Sequence, residues 1–129
     1  MNTKKYENSI AMSCLFHSLS HFISLDSDSL RQEICNYLQE NKPIIEGMDT
    51  ISILNMERGD YIQHMRNSST QGGAIEIQVA CNLYNVKIIV KNIRHHNGKN
   101  IEFVPLHTNI EKELCITWNG GHYEPVLTG

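Results

Sequence analysis

The hydrophobic pattern of this chain changes period along its length. Through about residue 67 the apolar side chains recur at three- and four-residue spacing, the mark of one buried helical face. From Val86 onward they fall in short β-branched and aromatic runs separated by turn residues. Helices first and strands last confine the fold to an α+β or mixed α/β class with a small, mostly antiparallel sheet. At 129 residues the chain is expected to form one domain, 1–129, with a genuine core and no room for a second.

Leu15, Leu19, Phe22 and Ile23, with Phe16 at the edge, predict a first helix that opens near Cys14. Leu30, Ile34, Tyr37 and Leu38 predict a second, with Ser27-Asp28-Ser29 offering N-caps, Ser29 and Gln32 at capping-box spacing, and an end before Asn41-Lys42-Pro43. Residues 48–67 read as two short helices broken by Gly59, with Ile51, Leu54, Tyr61, Ile62 and Met65 as inner positions. In 74–84, Ile75, Ile77 and Val79 alternate like a strand while Ile77, Ala80 and Tyr84 fit a helix, so periodicity leaves both open. Asn85 suits a helix C-terminus, and Val86-Lys87-Ile88-Ile89-Val90 is a strand. Asn97-Gly98, between this strand and Ile101–Leu106, predicts an antiparallel hairpin with a long polar tip carrying His95-His96. The first half-dozen residues resemble a tail.

Composition narrows the function. A net charge of -3 without a basic stripe argues against a nucleic-acid surface, and no run approaches the length of a membrane span. Cys14, Cys35, Cys81 and Cys115 are widely spaced with no Cys-x-x-Cys, and the first residues lack the apolar stretch of a signal peptide. Reduced thiols in a cytoplasmic compartment, and a protein or peptide partner, are expected.

Two segments near the ends carry the chemistry. Ser13-Cys14-Leu15-Phe16-His17 places a thiol in the first turn of an apolar helix, and Trp118-Asn119-Gly120-Gly121-His122-Tyr123 places a histidine beside a tight turn. The thiolate is the nucleophilic form of cysteine, and a helix start together with an imidazole are means of generating it. Cys35, Cys81 and Cys115 fall within core elements and read as structural. Cys14, His17 and His21 share a helical face, but no fourth ligand completes a zinc pattern, so neither metal nor cofactor is expected.

Three blocks, in order, resemble the ovarian-tumour (OTU) family of papain-like cysteine proteases, which are mostly deubiquitinases. They are Ser13-Cys14-Leu15-Phe16-His17-Ser18-Leu19-Ser20; Gly72-Gly73-Ala74-Ile75-Glu76-Ile77-Gln78-Val79-Ala80, followed by Tyr84-Asn85-Val86-Lys87-Ile88-Ile89-Val90; and Gly121-His122-Tyr123. The resemblance implies a papain-like α+β fold, a central sheet packed between helices, and a helix over 74–84. It implies Cys14 as nucleophile, His122 as general base and later acid, and Ala11-Met12-Ser13 with the Cys14 N–H as the oxyanion loop. Glu124 stands where the family commonly has an Asp or Asn that orients the histidine, and as residues two apart on a strand share a face, it is a candidate orienter. Asn119 and Asn8 are substitutes. Trp118, Gly121 and Tyr123 would wall a narrow channel for the Gly-Gly tail of ubiquitin or a relative.

Ala11 and Met12 replace the Asp and Gly usual in the family's loop, and Gln71 replaces a Trp. The implied function is a cysteine isopeptidase acting on ubiquitin conjugates. The alternatives are a catalytically inactive ubiquitin-binding module and a polyprotein-processing protease. Small size and an Asn/Ile/Lys-rich make-up suggest a compact viral or bacterial member, acting in a host cytosol.

Overall fold

The computed structural model describes residues 12–95, 98–106 and 109–127. The expected N-terminal tail, Asn8, Ala11, and His96 and Asn97 of the hairpin tip lie outside these residues. Among the described residues, five helices are followed by four strands: α1 (Cys14–Ser20), α2 (Ser27–Gln39), α3 (Thr50–Glu57), α4 (Tyr61–Met65) and α5 (Ala74–Tyr84), then β1 (Val86–Asn92), β2 (Ile101–Phe103), β3 (Lys112–Trp118) and β4 (Tyr123–Pro125).

Helix α1 begins at Cys14 as its pattern predicts, but it is shorter, and Phe16 is a fully buried core residue rather than an edge. The N-cap of α2 is Asp26, one position before the expected candidates, and its carboxylate accepts the Ser29 N–H at 2.8 Å. The Ser29/Gln32 capping box does not form, because Asp26 is the cap and Ser29 lies inside the first turn; Gln32 donates instead to the Arg66 carbonyl. Gly59 separates α3 from α4 as expected, yet Ile51 is exposed and Ile53 takes the inward position. Residues 74–84 are helical, and Asn85, at φ 54°, takes the left-handed conformation that ends α5 and turns the chain into β1.

The sheet order is β2-β1-β3-β4. The β1–β2 hairpin is antiparallel, pairing Ile88 with Phe103, and β3–β4 is antiparallel, pairing Trp118 with Tyr123. The central β1–β3 pair is parallel, with Ile88 beside Leu114 and Val90 beside Ile116. Two of the three strand pairs are thus antiparallel, as expected, and the sheet is mixed because its central pair is parallel. The chain re-enters the sheet beside the start of β1, where Glu111 N–H meets the Asn85 carbonyl at 2.7 Å, and so runs parallel to it. Gln78 and Asn82 of α5 hold the segment that follows β2: Gln78 donates to the Val104 carbonyl, and Asn82 accepts the Leu106 N–H. Val86, Ile88, Val90, Leu114 and Ile116 bury one face of the sheet in the same core as Leu15, Phe16 and Leu19.

Candidate active site

β4 pairs along the edge of β3 and packs against α1, which brings Cys14 and the His122–Pro125 segment together. Cys14 is the first residue of α1 and is only 3% exposed. Its Sγ accepts the backbone N–H of Tyr123 at 3.3 Å, a contact between residues 109 positions apart. A shallow cleft of about 150 Å³ opens over this contact, with Cys14, His17, Ser18 and His21 on one wall and residues 122–125 on the other. The thiol and the imidazole singled out in the sequence thus share one cleft.

The histidine is set by its turn. Asn119 Oδ1 accepts the N–H groups of Gly121 at 3.0 Å and His122 at 2.8 Å, and Gly120, at φ 106°, supplies a conformation that L side chains rarely adopt. Asn119 therefore holds the His122 backbone, with its side-chain oxygen engaged there rather than on the ring. Gln71, in place of the family's usual Trp, donates to the Gly121 carbonyl at 3.0 Å and ties the turn to the segment preceding α5. The Glu124 carboxylate faces His122 Nε2 at 3.5 Å, both side chains being well exposed.

The thiol end is built from the core. Gly72 lies so close to α1 that an added Cβ would come within 2.8 Å of Leu15 and 2.9 Å of Phe16. Before α1, Ser13 Oγ donates to the Ser68 carbonyl, and the guanidinium of Arg31 reaches Ser13 Oγ at 3.1 Å and the Met12 carbonyl at 3.3 Å. Burial holds the Cys35 and Cys81 thiols at about 11 and about 12, out of reach of a thiolate at neutral pH. Burial, with Cys14 and Glu76 nearby, also pushes the Tyr123 phenol above its ordinary value. Of the expected channel residues, Tyr123 lines the cleft; Trp118 packs half-buried against the core and Gly121 faces Gln71, neither of them in its wall. Ala11 lies outside the described residues. Among the described residues, no group of three His, Cys, Asp or Glu side chains could hold a metal ion.

The helical face expected to be shared by Cys14, His17 and His21 lines the cleft, whereas sequence reasoning missed Ser18 and Pro125 as parts of it, and Arg31 altogether. Arg31 had a signal: it stands in the buried stripe of α2, next to Leu30 and one turn before Ile34 and Cys35, where a charge is out of place.

The model of the OTU-like cysteine proteases matches residues 12–124. The chain belongs to this family. It is 32% identical over 132 aligned positions to the ubiquitin thioesterase otu2 of Schizosaccharomyces pombe, covering 88% of this chain but 42% of that protein. Among solved structures it is similar to an OTU domain in complex with ubiquitin, at TM-score 0.68 and 28% identity, covering 88% of this chain and 62% of that one. An OTU deubiquitinase from Wolbachia pipientis bound to ubiquitin shares the fold at TM-score 0.60 and 18% identity, covering 90% of each chain. This OTU-like chain therefore spans less than half of the curated relative it matches. None of its described helices is long and apolar enough to cross a membrane.

Proposed function

We propose that this chain is a deubiquitinating cysteine isopeptidase that cleaves the bond after the C-terminal Gly-Gly of ubiquitin or a ubiquitin-like modifier. The observation that carries the reading is the Tyr123 N–H on Cys14 Sγ, which puts the thiol and the His122 segment in one cleft. In this mechanism the Cys14 thiolate adds to the isopeptide carbonyl carbon, and the oxyanion is met by the Cys14 N–H and by N–H groups of the loop formed by Ala11, Met12 and Ser13. His122 passes its proton to the departing lysine amine as the C–N bond breaks, leaving a thioester. Water, deprotonated by His122, then adds to the thioester, and its collapse releases the ubiquitin carboxylate and the thiolate. Glu124 orients the imidazole through Nε2, and Tyr123 walls the channel for the ubiquitin tail.

Residues 1–129 act in this reading as one OTU-like domain, supported by the family match to 12–124 and by the single core. Four unpaired cysteines suit a reducing, cytosol-like compartment. The compact build matches that of the Wolbachia domain, while the curated relative is from a yeast, so the activity does not depend on a viral or bacterial source. A non-catalytic ubiquitin-binding module is the second reading, favoured by one feature: Glu124 is 67% exposed at its side chain and 3.5 Å from the ring, a loose hold for a catalytic histidine. Ubiquitin carrying a C-terminal thiol-reactive group separates the two. Covalent capture by the wild type, lost in Cys14→Ala, is expected; stoichiometric binding without capture would leave the module.

A further inference from the structure

Arg31 is 1% exposed, yet it is a permanent cation, and a buried charge is costly unless its donors are met. Among the described residues, its hydrogen bonds run to three segments rather than to a carboxylate. Nη1 donates to the Met65 carbonyl at 2.8 Å, and Nη2 lies 3.1 Å from Ser13 Oγ, 3.3 Å from the Met12 carbonyl and 3.4 Å from the Ser68 carbonyl. The guanidinium carbon lies 4.3 Å from the centroid of the Phe16 ring, on the same helix as Cys14. The planar fork of arginine thus spans from α2 to the two residues that precede the thiol and to the loop after α4.

We infer that Arg31 is a positioning residue that fixes the peptide between Met12 and Ser13 so that its N–H, rather than its carbonyl, serves the oxyanion formed at Cys14. The argument is one of peptide geometry. In a planar trans peptide the C=O and N–H point in opposite directions. Holding the Met12 carbonyl on the buried guanidinium aims the Ser13 N–H away from Arg31. A flip of this one peptide would exchange the groups and turn a carbonyl oxygen toward the developing negative charge, where it would repel it. The role rests on the proposed hydrolase reading, since an oxyanion forms only if Cys14 attacks a carbonyl.

The test compares Arg31→Met and Arg31→Lys with Arg66→Ala. Arg66 also joins α2 to the end of α4, through Gln32 and Asn36 at 2.9 Å each, but its side chain hydrogen-bonds to α2 rather than to Met12 or Ser13. It controls for loosening of that joint. The readouts are kcat and KM on ubiquitin with a fluorogenic C-terminal amide, the rate of Cys14 alkylation by iodoacetamide, which needs no oxyanion, and the backbone amide NMR shifts of Ser13 and Cys14. Arg31→Met is expected to lower kcat by about 10²- to 10³-fold, the size of losing one oxyanion donor, and to leave KM and the alkylation rate within about threefold. Arg31→Lys, which keeps the charge and loses the fork, should recover part of kcat, and Arg66→Ala should stay near wild type. Should Arg31→Met fail to fold, Arg31→Lys carries the test by the same split and by shifted Ser13 and Cys14 amides. Folded Arg31 variants with wild-type kcat, or a kcat loss matched by Arg66→Ala or by an equal loss of alkylation, overturn the role while leaving the hydrolase reading intact. A wild type that is alkylated at Cys14 but never turns over overturns the hydrolase reading, and this role with it.

Discussion

Cys14 is almost wholly buried, on a helix whose neighbours Leu15, Phe16 and Leu19 are core residues, whereas across the cleft the side chains of His122, just before a three-residue strand, and Glu124, within it, are 44% and 67% exposed. The thiol wall is held by tertiary contacts: Gly72 against Leu15 and Phe16, and Arg31 on the Met12 carbonyl. The histidine wall is held by a local turn through Asn119 and one surface bond from Gln71. The contrast teaches that the thiol is placed by the same packing that folds the protein. The imidazole is placed by a few exposed hydrogen bonds that can be altered one at a time without touching the core.

The sharpest way to break this contrast is His122→Ala. Loss of the base is expected to lower turnover by about 10³-fold or more, while stability stays within about 0.5 kcal/mol, the usual range for an exposed position. Adding it to Cys14→Ala should cost nothing further, because the two groups act as a unit. Activity assays and thermal melts of the two single variants and the double variant check this. A large melting shift in His122→Ala would mean that the histidine wall is part of the fold after all.

Glu124 measures how loosely the exposed wall is held. Glu124→Ala is expected to reduce kcat by about 10- to 1000-fold, less than loss of the base, and Glu124→Gln by less, since an amide oxygen can still accept from Nε2. Asn119→Ala acts differently. It removes the acceptor of the Gly121 and His122 N–H groups, so it should loosen the turn and lower activity and melting temperature together. Normal turnover in Glu124→Ala with loss in Asn119→Ala would place the control of the imidazole in the turn alone. Both variants active would indicate a bare Cys14–His122 pair.

The same division explains what the sequence made legible. The stripe of α2, the left-handed Asn85 and the alternation of β1 are written in neighbouring residues, and each stands where its pattern puts it. Cys14 and His122 were readable as chemical types in local settings, a helix start and a tight turn. The direction of β3 was not, because alternation is the same in a parallel and an antiparallel strand and only the end of β1 at which β3 enters decides between them. Ile53 rather than Ile51 turns inward because a helix as short as α3 is rotated by the elements it packs on, not by its own weak stripe. Arg31 and Gln71 acquire their roles from partners 19 and 50 residues away, which no local pattern encodes.

The smallest expected effect probes the buried wall through Glu76, which is fully buried in α5 and accepts from Tyr61 Oη at 2.6 Å and from the Gly73 N–H at 2.7 Å. Burial raises its carboxyl above the ordinary 4.5, outweighing the two hydrogen bonds and the attraction of Arg31 that pull the other way. Above pH 4.5 the unfolded chain releases this proton while the folded chain still holds it. The native state binds more protons in that window, so its stability contribution is fully present below 4.5 and is lost as pH rises through the elevated folded value. Glu76→Gln removes the titration. Its amide oxygen can keep the Gly73 N–H, and the Tyr61 hydroxyl can rotate to accept from the new amide nitrogen, so the hydrogen-bond cost is the same at every pH. Urea unfolding of both proteins from pH 4.5 to 8 should therefore show the Gln variant gaining on the wild type as pH rises, with turnover nearly unchanged because Glu76 lines no part of the cleft. A difference that stays level or falls with pH would mean that Glu76 folds as a carboxylate stabilised by its donors and by Arg31, and the buried wall would then be held by charge as well as by packing.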